Sequence, residues 1–243
     1  MDRNKLDPCN AVDVKGPKYQ VCGFGTCRIF NPLKACASAA MLRDGRKHRF
    51  VHSSPEVLWQ MRSRQLELSK CDIVLVEISS RSYFTTLDHK LIGRDEIREQ
   101  FGDLLSKPLL RSQCRLSPEY PSTLPAVPLL EIWQDDASLF KTMDEILALT
   151  ARPLILFSHF VTQFAPPKIN VSRSRLNQSL GFWARKNCVT FVDPTTLVNR
   201  HSHVIRDRDH YAETEFSLLG RAMAILIDRA ILAFHGKRIA VSD

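Results

Sequence analysis

No apolar run in this chain approaches the roughly 20 residues needed to cross a bilayer. Residues 1–15 also hold no hydrophobic stretch of the kind that opens a secretory signal. A soluble, cytoplasmic protein is the expectation. The seven cysteines, Cys9, Cys22, Cys27, Cys36, Cys71, Cys114 and Cys188, include no C-x-x-C pair. An odd, dispersed set argues for reduced thiols and against both a zinc site and a disulfide framework. No internal repeat is present. There is also no lysine-rich arm interleaved with aromatics, although the formal charge is +8 and the pI about 9.3. The basic residues are spread, as at 43–49 and 200–208, so nucleic acid is not the expected partner. A small anionic ligand, such as a nucleotide or an acyl-coenzyme A, suits the charge better.

What is present is the material of an ordinary globular protein: 243 residues, 44% hydrophobic and 25% charged. One α/β domain is the default at that length. Residues 1–18 carry Pro8, Gly16 and Pro17 without a clear period and read as an N-terminal arm. The domain proper is expected over 19–243. Its strands are predicted from apolar runs: 19–22, 71–78, 152–159 and 189–194, with a short further one at 50–52. Helices are predicted over 32–42, 55–68, a segment ending near 149, 173–186 and 213–234. Alternation of strands and helices at these intervals predicts a mostly parallel sheet with helices on both faces. The stretch 85–128, with Pro118, Pro121, Pro125 and Pro128, reads as an insertion or lid rather than a sheet-forming unit.

Chemistry gathers at strand ends, where open α/β sheets bind ligands. After the first strand come Gly23, Phe24, Gly25, Thr26, Cys27 and Arg28, a tight turn that presents a thiol near a helix N-terminus. Arg28 and the helix dipole are expected to favour the thiolate, which makes Cys27 the candidate nucleophile. A buried structural cysteine and a phosphate cradle are the alternatives for the same turn. Ser79, Ser80 and Arg81 follow the second strong strand, and Ser158 and His159 end the third. His52 is a weaker candidate. Before the last helix stands Asp207-Arg208-Asp209-His210, in which a carboxylate three residues ahead of a histidine can orient its ring toward a nucleophile.

Gly25-Thr26-Cys27 after the first strand, with Asp207-x-x-His210 near the C-terminus, resembles the SGNH/GDSL hydrolase superfamily, whose first block is Gly-Asp-Ser and whose last is Asp-x-x-His. It is most similar to divergent branches with Gly-Ser-Cys or Gly-Thr-Cys-Arg first blocks, such as the GSCFA-like proteins. Position by position, the resemblance makes Cys27 the nucleophile, His210 the base and Asp207 its orienting acid. Cysteine stands for serine and Thr26 for aspartate. The family's Gly and Gly-x-Asn blocks are not located, though Ser79 or Ser80 stands where the latter would come. The resemblance implies a three-layer α/β/α fold, flavodoxin-like in layout, with acyl or ester chemistry and no cofactor.

Two functions of different class follow. In the first, Cys27 attacks an ester, a thioester or an activated acyl group, as on acyl-coenzyme A or a carrier, of a small anionic or sugar-type metabolite. His210 then shuttles the proton, and backbone N–H groups over Gly25 to Arg28 hold the oxyanion. Arg28, Ser79, Ser80, Arg81 and His159 are expected to line the same pocket. Water or a hydroxyl as acceptor separates hydrolase from transferase, and a lid at 85–128 is a means of excluding water. In the second, the crevice is a non-catalytic binding module that holds a nucleotide or other anion through the 23–28 turn, Arg81 and His159. Oligomeric state is not legible.

Overall fold

The computed structural model describes residues 19–36, 39–41, 50–86, 91–92 and 129–241. Five parallel strands form the main sheet: β1 (Tyr19–Phe24), β2 (Ala39–Met41), β3 (Ile73–Ile78), β7 (Leu154–Ser158) and β8 (Thr190–Val192). Their order is β2-β1-β3-β7-β8, the flavodoxin-like order of a doubly wound sheet. Val74 pairs with Leu154 and Val21 with Ile73, both in parallel register.

Side chains alternate across these strands, so each strand feeds two cores. Cys22, Phe24, Val74, Val76, Ile78, Leu154 and Leu156 face helices α2 (Ser54–Ser63), α3 (Gln65–Leu68), α4 (Asp136–Leu149) and α5 (Pro167–Lys186). Val21, Ile73, Leu75 and Ile155 face α1 (Cys27–Lys34) and α7 (Phe216–Val241). That burial on both sides explains the near-continuous apolar runs, each large aliphatic side chain contributing about 1.5–3 kcal/mol. The result is the expected three-layer α/β/α sandwich. Gly220 lets α7 lie on the end of α1, because a Cβ there would stand 2.7 Å from the Pro32 carbonyl oxygen.

Several boundaries differ from expectation. The alanine-rich stretch read as a helix over 32–42 is instead the end of α1, which begins at Cys27 and stops at Lys34, followed by β2. Pairing with the open edge of β1 outweighs alanine's helix preference there. Residues 50–52 are extended but not a strand. Val51 donates to the Gly25 carbonyl at 3.0 Å, and one bridge joins Ser53 to Ser80. The helix read over 55–68 breaks at Arg64 into α2 and α3. Its N-terminus is closed by a capping box between Ser53 and Glu56, as the Ser-Ser-Pro-Glu order implies.

The described ends of the 85–128 stretch do form a sheet. β4 (Ser82–Thr86) pairs antiparallel with β5 (Leu91–Ile92) and β6 (Leu129–Trp133), so a small second sheet adjoins the main one in sequence. The four prolines lie outside the described residues, as do the arm at 1–18, Cys9 and Cys114. Among the described residues no helix is long and apolar enough to cross a membrane.

Candidate active site

The turn after β1 is built around a carboxylate. Glu77 belongs to the same face of β3 as Ile73 and Leu75, so at the strand's C-terminal end it points to the α1 side. It is 1% exposed, and a buried charge must be paired and hydrogen-bonded to persist. Its Oε2 accepts from the Thr26 amide at 2.9 Å and the Thr26 hydroxyl at 2.6 Å, and its Oε1 accepts from Arg28 Nε at 2.6 Å. Burial works against the charge, but Arg28 and Thr26 outweigh it and hold the carboxyl below its ordinary range. Gly25 is required for this packing. At φ +158° its absent Cβ would stand 2.7 Å from Glu77 Cβ, so any side chain there collides with the carboxylate's stem.

Thr26 is the N-cap of α1 and Cys27 its first residue. The Cys27 amide therefore lacks an intrahelical partner. The thiol does not rest as a favoured thiolate. Burial pushes Cys27 above the usual thiol range; Arg28 pulls the other way, but Glu77 opposes it. Arg28 does favour the thiolate as expected, but burial outweighs it and the buried Glu77 carboxylate works against it.

The Asp207–His210 block is a compact loop. Asp207 Oδ1 accepts the amides of Asp209 and His210 at 2.8 and 3.0 Å and lies 2.8 Å from His210 Nδ1. Although desolvation raises it, the Asp209 amide, His210 and Arg206 bring the Asp207 carboxyl down to about 2. An ionised carboxylate only accepts, so Nδ1 carries a proton toward it, and in the neutral ring the lone pair is left on Nε2. Arg206 N–H donates to the His210 carbonyl at 2.9 Å, and Ala212 N–H to Val204 at 2.8 Å. Beneath the loop, Phe160, Val198, Val204, Ile205, Tyr211 and Leu219 form a third apolar cluster.

Cys27 and His210 share the wall of one pocket of about 40 Å³, together with Arg28, Asn31, Arg206, Tyr211, Glu213 and Phe216. No direct hydrogen bond joins the thiol to the ring among the described residues. Asn31 was missed from sequence. It lies four residues after Cys27 on α1, a spacing that puts both on one helix face.

The other expected lining residues, Arg28 apart, are not in that wall. Arg28, 8% exposed, touches the pocket, but its donors are committed to Glu77 and, at 2.8 Å, to the Asp209 carbonyl. Ser79 lies 3.3 Å from His52 Nδ1, and Ser80 bonds Ser82. Arg81 reaches away to Asp136 on α4 and Ser179 on α5, each at 2.6 Å. His159 is 4% exposed. Its Nδ1 lies 3.0 Å from the Phe160 carbonyl and its Nε2 3.6 Å from Asp209. Burial first, then Arg28, holds it neutral, down to about 4. Of the backbone donors expected for an oxyanion over Gly25 to Arg28, the Thr26 amide is taken by Glu77 and the Arg28 amide donates to Thr26 Oγ1 at 3.4 Å. Among the described residues no group of three or more His, Cys, Asp or Glu side chains stands ready for a metal.

A parallel sheet in this order, with a Gly-Thr-Cys turn and an Asp-x-x-His loop meeting at its C-terminal edge, is the doubly wound, flavodoxin-like α/β/α layout that the resemblance implied. Among solved structures the chain is similar to a member of the lipolytic G-D-S-L family from Veillonella parvula, at 11% identity over 83% of this chain and 93% of that one, with a TM-score of 0.45. It is similar to a catalytic mutant of an acetylxylan esterase from Geobacillus stearothermophilus, at 12% identity over 89% and 95%, with a TM-score of 0.49. A further similarity is to the inhibitor-bound aryl esterase of M. smegmatis, at 11% identity over 87% and 99%, with a TM-score of 0.47. At such identities these likenesses assign no activity to this chain. No family model and no curated protein matches it.

Proposed function

We propose that this protein is an acyl-transfer enzyme, a hydrolase of small esters or thioesters, in which Cys27 is the nucleophile, His210 the general base and Asp207 the group that orients it. The observation that carries this reading is the shared pocket wall of Cys27 and His210, with Nδ1 of His210 held on an ionised Asp207. Because burial keeps the thiol protonated, the base takes the proton as the bond forms. The thiol proton passes to Nε2 while sulfur bonds the carbonyl carbon, and the Cys27 amide faces the oxygen that gains charge. When the tetrahedral species collapses, the bond to the leaving oxygen or sulfur breaks and that atom takes the proton from His210. Water then gives a proton to His210 and attacks the thioester, and the carbon–sulfur bond breaks to return the thiol and a carboxylic acid. A hydroxyl in place of water makes the same cycle a transferase.

The pocket sets the acyl size. Since one water occupies roughly 10–15 Å³ on the same measure, about 40 Å³ accommodates an acyl group of two or three heavy atoms. The reading as an anion-binding module draws less support, because Arg28, Arg81 and His159 all have protein partners. The test is turnover of acetyl and longer acyl esters and thioesters. Cys27→Ala abolishes it, His210→Ala lowers it roughly 10²–10⁴-fold and Asp207→Asn costs less. Incubation of Asp207→Asn with substrate should also show the mass of one acyl group on the peptide containing Cys27. Wild-type turnover in Cys27→Ala would overturn the assignment.

A further inference from the structure

Two buried guanidiniums hold consecutive backbone carbonyls immediately before His210. Arg28 Nη1 donates to the Asp209 oxygen and Arg173 Nη1 to the Arg208 oxygen, each at 2.8 Å. Each cation is in turn fixed by a carboxylate, Arg28 by Glu77 and Arg173 by the Asp209 side chain at 2.5 Å. Arg28 and Arg173 are both 8% exposed. The four groups therefore form a network of two positive and two negative charges, buried except at Asp209, which is 33% exposed and also pairs with Arg208. It joins the nucleophile turn, the end of β3, α5 and the loop at 206–211.

We infer that Arg28 and Arg173 are positioning residues that clamp the 206–211 loop so that His210 faces Cys27; the inference rests on the proposed roles of those two residues. Buried ion pairs are weak evidence for stability, since apolar replacements are often as stable or more so. Their geometry is what apolar groups cannot supply. A guanidinium can donate to a carboxylate and a carbonyl at once from one rigid plane, whereas an ammonium offers a single point. The clamp also links nucleophile and base directly: Glu77 binds the cap of the Cys27 helix and the same Arg28 that grips the loop. A shift of the loop by about 1 Å would misplace Nε2 relative to sulfur, and displacements of that size cost on the order of 100-fold in rate.

Arg173 provides the clean test because it lies outside the pocket wall, so no substrate contact is lost with it. In Arg173→Lys we expect kcat to fall about 10- to 100-fold with KM within about twofold. Amide hydrogen exchange at residues 209–211 should quicken at least tenfold while β1 and β3 keep their protection. Asp209→Asn, which keeps the side chain's shape but weakens its hold on Arg173, should move both readouts in the same direction and serves if Arg173→Lys does not fold. Unchanged kcat with unchanged exchange in the loop would overturn the clamp. So would equal loss of protection across the whole sheet, since the arginine would then be only a stabilising residue. The exchange arm does not depend on turnover. Wild-type turnover in Cys27→Ala would therefore sink the catalytic assignment by itself, whereas faster loop exchange would still report the clamp.

Discussion

Acid should destabilise this protein well before its carboxylates titrate, and His159 is the reason. The imidazole is 4% exposed, with Arg28 and Arg173 in its neighbourhood. Asp209, at 3.6 Å, favours a proton on the ring but does not outweigh burial and Arg28. Burial, with Arg28 next, moves its pKa from the ordinary 6.5 to about 4. The sign follows from proton counts: between those two values the unfolded chain binds a proton that the folded chain refuses. Stability is therefore full above about 6.5, falls as pH drops, and levels off below about 4. The whole shift amounts to about 3 kcal/mol, and lowering the pH from 7 to 5 removes about 2 kcal/mol of it.

The window is selective. Glu77, Asp207 and Asp209 are held below their ordinary carboxylate range, so the stability they add is present above it and is lost only as pH falls further. Urea unfolding at pH 7 and pH 5, followed through the buried Trp183, should show a midpoint lower by about 1 M at the acid end, for a slope near 2 kcal/mol per M. His159→Gln keeps a polar group but removes the titration. It should be less stable at pH 7 by about 1 kcal/mol, for the altered hydrogen bonding, yet lose little more on going to pH 5. Equal losses in wild type and His159→Gln, or no loss in either, would refute the reasoning.

Two smaller predictions follow from the nucleophile turn. Gly25→Ala forces a Cβ to within 2.7 Å of Glu77 and should destabilise the fold by about 2–3 kcal/mol, lowering Tm by several degrees; a Tm within a degree of wild type would show that the turn relaxes freely. Against a neutral alkylating reagent at about pH 7, Cys27 should react more slowly than the exposed Cys188 and gain rate steeply with pH, because burial raises its pKa. Faster labelling of Cys27, read by peptide mass, would mean that a thiolate rests in the site.

The fold was legible where burial on two faces wrote itself into composition. The runs at β3 and β7 could only be covered parallel strands, and they fixed the layout. Ala39–Met41 was illegible, because three residues with no strand character pair through tertiary context, the open edge of β1, and not through their own propensity. The strands flanking 93–128 were hidden for a related reason. β5 is two residues long, too short for any period to appear.

For the site, short-range patterns were readable and long-range ones were not. A Gly-Thr-Cys turn and an Asp-x-x-His loop are each local, so both blocks could be found and their order weighed. What the sequence conceals is which charges are already answered. Arg28 reads as a ligand for an incoming anion until Glu77, 49 residues away, is seen beneath it. Yet that carboxylate was visible as the one charge inside Ile73–Ile78, and a lone acid on a strand buried on both faces must have a cationic partner nearby. By that rule Arg28, in the turn after a strand that pairs with β3, is a candidate partner. Two consequences then follow together. Arg28's pull on the thiol is opposed, so it does not outweigh burial at Cys27. And the same cation has a donor left over for the loop that carries His210. The buried acid at the end of β3 thus anchors Arg28 beneath the His210 loop and blunts its pull on the thiol, whose protonation rests first on burial.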